Sequence, residues 1–179
     1  MATLGLRYFI RLGACGALQN NIKIGDLILS KASMRYESTS QHYAPENYPA
    51  VASLEMTNTF LETLSYHKMK FHYGVTVTTD TFWPAQGRKD GFLNYVPLKF
   101  QNILKEWEHL NILSVDMELS TIYTICNVFG LEAVGILDAI NKNIGSDRMF
   151  QVNDKKRIKN WSKFLKSAIE ADMYRREII

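Results

Sequence analysis

A chain of 179 residues with 46% apolar and 22% charged side chains has the make-up of one compact soluble domain with a real core. Its net charge of +3 is small, and no nucleic-acid motif or aromatic-interleaved basic stripe is present, so nucleic acid is excluded as a partner. No run is long enough to span a bilayer and the start lacks a signal peptide's basic region and apolar core, which excludes a membrane and makes the cytoplasm the expected compartment.

In chain order, residues 6–12 read as a buried strand interrupted by arginines, running into a strand-to-loop switch at Gly13-Ala14-Cys15-Gly16. Residues 24–30 read as a turn feeding a second strand. Residues 35–49 are polar with two prolines and read as loop. Val51, Leu54, Phe60, Leu61 and Leu64 fall near helical period, so a helix is expected over 50–66. Residues 71–79 alternate and are β-branched, the pattern of a strand. A loop at 91–97, a helix at 98–109 and a short strand at 112–117 follow. Residues 118–129 read as an apolar helix ended by Gly130. The nearly continuous apolar run 133–140 suits a central strand buried on both faces. Lys155, Lys156, Arg157, Lys159, Lys163 and Lys166 alternate with Ile158, Trp161, Phe164, Leu165 and Ile169, the pattern of a solvated amphipathic helix over 155–175. Strands alternating with helices predict an α/β fold with a parallel or mixed sheet.

Chemistry-bearing residues cluster where strands are expected to end, which is where open α/β sheets bind ligands. The loop Phe82-Trp83-Pro84-Ala85-Gln86-Gly87-Arg88 sets a ring, a neutral amide and a cation close together. A ring can wall a flat heterocycle, an amide can pair with an adjacent N–H and C=O, and a guanidinium can answer charge on a carbonyl oxygen. The plainer reading is a surface loop whose aromatics dock on the core. Asp116-Met117-Glu118 is the second cluster. A carboxylate can accept both protons of a vicinal diol, and a Met can pack on a sugar or base. The plainer reading is that Glu118 merely starts a helix, where the dipole favours negative charge. Cys15 and Cys126 form no CxxC pair, and His42, His67, His72 and His109 show no ligand spacing, so buried reduced thiols and no metal are expected.

Taken together these segments resemble the nucleoside phosphorylase family, most closely its uridine phosphorylase branch, over almost the whole chain. Arg11-Leu12-Gly13-Ala14-Cys15-Gly16 is similar to that family's Arg-Ile-Gly-x-x-Gly strand end. Ile24-Gly25-Asp26 followed by His42-Tyr43-Ala44-Pro45 resembles its uridine-type insertion. Thr79-Asp80-Thr81-Phe82 with Gln86 and Arg88 resembles its uracil-reading loop, and Val115-Asp116-Met117-Glu118 stands where the family has Glu-Met-Glu. The resemblance implies a three-layer αβα domain with a central mixed, twisted sheet. It implies phosphate-dependent cleavage of uridine to uracil and ribose 1-phosphate, with phosphate as co-substrate and no cofactor. Arg11 would bind phosphate, Cys15 and Gly16 would line base and sugar, and Phe82 would wall the base. Gln86 and Arg88 would bond the uracil edge and stabilise its leaving charge, Met117 would touch the ribose, and Glu118 would hold its hydroxyls. Asp116 would stand with these nucleoside-binding residues. A homo-oligomer, the family's hexamer of dimers, is implied as well.

Departures temper the implied activity. Asp116 is a methylene shorter than the family's Glu, and Ala14 stands where a Thr touches phosphate and sugar. The base-site Arg after the last core strand is replaced by Lys142 or Asn143, and Lys is the weaker bidentate reader. Asn141 and Asp138 fall near where purine-specific relatives carry an Asn or Asp. The chain starts inside the family's domain, so 1–179 is expected to be a single domain incomplete at its N-terminal side, lacking the Gly-Asp-x-x-Arg phosphate loop. Loss of two charged phosphate contacts is expected to slow catalysis on the order of 10²–10⁴-fold. Two alternatives to the uridine phosphorylase reading stand: a catalytically impaired nucleoside-binding or oligomer subunit, and a purine nucleoside phosphorylase or nucleosidase relative.

Overall fold

The computed structural model describes residues 1–142, together with 161–162, 165–166, 168–170 and 172–173. Five strands carry the fold: β1 (Tyr8–Ala17), β2 (Leu27–Tyr36), β3 (Phe71–Thr79), β4 (Ser114–Asp116) and β5 (Glu132–Lys142). β1 runs parallel to β5 along its whole length, from Tyr8 opposite Glu132 to Ala17 opposite Lys142. β2 is parallel to β3, and β3 to β4. β2 meets β5 antiparallel, and β4 meets β1 antiparallel at only Gly16–Val115 and Ala17–Ser114. The order is therefore β1-β4-β3-β2-β5, and this mixed sheet twists far enough for its two ends to join.

Side chains of β2 and β5 alternate between two helical layers, as period-2 geometry requires. Leu27, Leu29, Val134 and Ile136 pack with Met56, Phe60 and Leu64 of α1 (Leu54–Tyr66). Ile28, Leu137 and Ala139 pack with Leu119 and Tyr123 of α3 (Leu119–Val128). The Tyr123 hydroxyl reaches into the β2–β5 pair: it donates to the Ser30 carbonyl (2.7 Å) and accepts from the Gly135 amide (2.9 Å). A third cluster joins Trp107 of α2 (Ile103–His109) to Leu18, Val77 and Val115. The molecule is thus α/β, with helices on both sides of a mixed, twisted sheet. Among the described residues no helix is long and apolar enough to cross a membrane.

Several elements differ from expectation, each because a non-local partner outweighs local preference. Gly13–Gly16 is strand rather than loop, since the β5 ladder continues past it and absorbs a register shift between Cys15 and Gly16. β2 runs on to Tyr36 because Arg35 and Tyr36 pair with Thr78 and Thr79. Val51 bridges to Ala32, so α1 starts only after Ser53, whose hydroxyl accepts from the Met56 amide. The expected helix over 98–109 is split into a 3-10 turn (Leu98–Phe100) and α2 by Asn102 at φ 61°. Gly130, at φ 63°, follows the end of α3 as expected. Most of the expected terminal helix lies outside the described residues, and those described within it are helical.

Candidate active site

A cleft of about 350 Å³ opens where β1 and β4 part company. Their antiparallel ladder ends after Gly16–Val115. Beyond it the chain of β4 turns through Met117 and Glu118 into α3, leaving residues 11 and 13–16 of β1 as one wall. Val115–Glu118 form the next wall, Phe82, Gln86 and Arg88 from the segment after β3 a third, and Ile140 and Asn141 at the end of β5 the last. Every residue proposed from sequence for the site stands on this cleft except Lys142. Lys142, the last residue of β5, pairs with Ala17, one step past the Gly16 end of the β1 wall. Asn143, the other position weighed there, lies outside the described residues. Asp138 points to the α1 side of β5, where it accepts from Trp161 Nε1 (3.2 Å).

The Arg11 guanidinium is built in from three sides. Nε donates to Asp116 Oδ2 (3.2 Å), and Nη2 donates to the Glu118 carboxylate. A Cβ on Gly13 would lie 2.6 Å from Cζ of Arg11, so glycine there is what lets the guanidinium lie down on the strand. Asp116 is 3% exposed and spends its oxygens inward. Oδ1 accepts from Thr78 Oγ1 (2.6 Å), while Oδ2 also accepts from the amides of Leu119 (3.0 Å) and Glu118 (3.3 Å), closing the start of α3. Burial pushes the Asp116 carboxyl above its ordinary value, against the pull of Thr78 and Arg11. Glu118, by contrast, has a half-exposed side chain that projects into the cleft.

The opposite wall is preorganised too. Gln86 is 3% exposed. Its Nε2 donates to Thr79 Oγ1 (3.2 Å) and its Oε1 accepts from Arg88 Nε (3.3 Å). The Arg88 guanidinium carbon stands 4.1 Å from the Phe82 ring centroid, a cation–π contact. Ring, amide and cation therefore present themselves as one unit. Burial pushes the Cys15 thiol up to about 12, which favours the uncharged thiol where it lines the cleft. Among the described residues no group of three or more His, Cys, Asp or Glu is placed to hold a metal ion.

Thr78 is a residue that sequence reading passed over, and Thr79 stood in a motif without a role of its own. Both look like ordinary strand formers, and nothing local shows that their hydroxyls reach Asp116 and Gln86. The register of β3 against β2 and β4 decides that.

The cleft lies at the strand ends of a mixed αβα sheet, and a guanidinium with carboxylates on one side and a ring–amide–guanidinium loop on the other can offer hydrogen bonds and a stacking face to a polar ligand. The chain belongs to the phosphorylase superfamily, whose family model matches residues 1–170. It is similar to the uridine phosphorylase of Haemophilus influenzae, 39% identical over 133 residues that make up 74% of this chain and 53% of that protein. The uridine phosphorylase of Thermococcus kodakarensis is 40% identical over 133 residues (74% and 48%), and that of Escherichia coli 38% over 133 residues (74% and 53%). The chain spans about half the length of these curated relatives.

Proposed function

We propose that this chain carries the nucleoside side of a uridine phosphorylase-type site, acting in phosphate-dependent cleavage of uridine to uracil and ribose 1-phosphate. One observation carries the reading: the base-facing set Phe82, Gln86 and Arg88 and the Arg11–Glu118 pair line the same cleft. Phe82 walls the base, and Gln86 and Arg88 bond the uracil edge. Glu118 accepts the ribose hydroxyls, Met117 packs on the sugar, and Cys15, Gly16 and Asn141 line base and sugar. Asp116 holds Arg11 beside them. Arg11 binds phosphate, whose oxygen attacks C1′ as the glycosidic bond breaks and its electron pair leaves on uracil. Arg88 and Gln86 then meet charge developing on the base. Phosphate supplies the nucleophile, so no cofactor enters, and a homo-oligomer is part of the proposal.

The test is incubation with uridine and phosphate while uracil release is followed. Turnover supports the reading. Uridine binding without turnover replaces it with a non-catalytic nucleoside-binding subunit, a second reading favoured by Arg11, which is already compensated by two carboxylates, and by Ala14, which offers no hydroxyl. Cleavage of inosine instead of uridine replaces it with the purine reading.

A further inference from the structure

We propose that Thr78 is a positioning residue of this site: its buried hydroxyl fixes the Asp116 carboxylate and, through it, aims the Arg11 guanidinium into the cleft. Thr78 is fully buried and does not stand on the cleft wall, so it acts only through what it holds. Three groups converge on Thr78 Oγ1: Asp116 Oδ1 at 2.6 Å, the Ser120 amide at 2.8 Å and Ser33 Oγ at 2.9 Å. A hydroxyl has one proton and two lone pairs. An amide N–H can only donate, so Ser120 takes one lone pair. A carboxylate can only accept, so the Thr78 proton goes to Asp116. The remaining lone pair must then be filled by the Ser33 proton. Every place is taken and the direction of each bond is fixed. Thr78 therefore cannot rotate its proton away from Asp116 without stranding a buried partner.

The consequence passes along the carboxylate. With Oδ1 fixed by Thr78 and Oδ2 by the first amides of α3, the Asp116 plane has one orientation, and Nε of Arg11 bonds to it. Gly13 supplies the floor beneath the guanidinium. Ser120 is anchored in turn, since its hydroxyl donates to buried Glu37 (2.9 Å). The link thus joins β2, β3, β4 and α3 to the one cation on β1 that faces the cleft. Arg11 bonds Asp116 directly, Glu118 lies two residues on and bonds the same guanidinium, and Glu37 meets the Thr78 network through the Ser120 hydroxyl. The neighbouring Cys15 is held neutral. Thr78 also opposes the upward push that burial exerts on Asp116, so it favours the charged form that Arg11 needs.

The test uses the whole chain labelled with 15N-arginine and 13C-aspartate, with Arg11 and Asp116 signals assigned through Arg11→Lys and Asp116→Asn. Thr78→Val is expected to raise the Asp116 titration midpoint and to lose the Arg11 Nε–H signal to solvent exchange. Thr78→Ser, which keeps the hydroxyl, is expected to restore both. On the proposed phosphate role of Arg11, inorganic phosphate binds Thr78→Val about 10- to 100-fold more weakly, with free uracil unaffected. Should Thr78→Val not fold, Ser33→Ala removes one donor into Thr78 and is expected to move the same two signals the same way by less. A folded Thr78→Val, or failing that Ser33→Ala, with both signals unmoved overturns the assignment. Moved signals in a chain that binds no phosphate uphold Thr78 and overturn the phosphate reading of Arg11 instead.

Discussion

At the scale of single residues, Glu118 serves two partners. One of its carboxylate oxygens bonds Arg11, and its proposed work is to accept ribose hydroxyls as well. An ionised carboxylate has two oxygens with about four acceptor places, so it can hold a ribose diol and keep the guanidinium. Asp116 bonds Nε independently, so the loss of Glu118 does not set the guanidinium adrift. Glu118→Ala is accordingly expected to weaken uridine about tenfold or more while leaving free uracil unchanged, measured by paired calorimetric titrations. Equal losses for both ligands would remove the ribose role. The proposed work of Arg88 is on the base instead. It lies on Phe82 and orients Gln86 at once, so Arg88→Ala is expected to weaken uracil by about 1.5–3 kcal/mol. Arg88→Lys should not restore it, because a compact ammonium cannot lie flat on a ring and donate sideways. Uracil affinity unchanged in Arg88→Ala would end that assignment.

At the scale of elements, the loop that carries Phe82, Gln86 and Arg88 depends on one turn. Gly87 has φ 63°, and a Cβ there would lie 2.8 Å from the Phe100 carbonyl oxygen. The Arg88 amide closes the turn on the Trp83 carbonyl (2.9 Å), so a shift at Gly87 moves both Gln86 and Arg88. Gly87→Ala is expected to cost about 1 kcal/mol or more and to lower Tm by about 2–4 °C, with weaker uracil binding in the same variant. A variant with unchanged Tm and affinity would show the turn to be tolerant. The sequence made this loop visible because its message is local: a ring, an amide and a cation within seven residues, after a β-branched run that is indeed β3. Where the message is not local it was missed. Gly13–Gly16 has the composition of a loop and is strand, because β5 lies beside it. The width of the cleft depends on a ladder of only two pairs between β1 and β4, segments separated by some hundred positions, and no local pattern encodes it. Thr78 reads correctly as a strand residue, but the part its hydroxyl plays is not local and emerges only once β3 is in register.

At the scale of the whole molecule, the sheet is fastened away from the cleft by a carboxylate. Asp26, just before β2, is 8% exposed and does not line the site. Its Oδ2 accepts from Lys70 Nζ (2.7 Å), from His72 Nε2 on β3 (3.0 Å) and from the Lys23 amide (2.9 Å). Its own carbonyl accepts from the Ala139 amide of β5 (3.1 Å), so one residue ties β2, β3 and β5 together. Burial alone would raise the Asp26 carboxyl, but Lys70, His72 and the Lys23 amide outweigh it and hold it below its ordinary value of 3.8. The sign follows from linkage. The unfolded chain takes up this proton first, so the stabilisation is fully present above 3.8 and is lost as pH falls through the lower folded value. Glu37, also held low after burial is outweighed by Ser40 and Ser120, titrates in the same acid window, so the unmodified protein's slope contains both groups. The difference between variants separates them. Asp26→Asn is expected to lower Tm at neutral pH and to flatten its fall in acid, so that the two Tm–pH curves converge below the ordinary carboxyl range while uridine binding at neutral pH is retained. Curves that stay parallel from neutral pH into acid would mean that Asp26 fastens nothing through its charge, and that the sheet is held by its ladders and apolar layers alone.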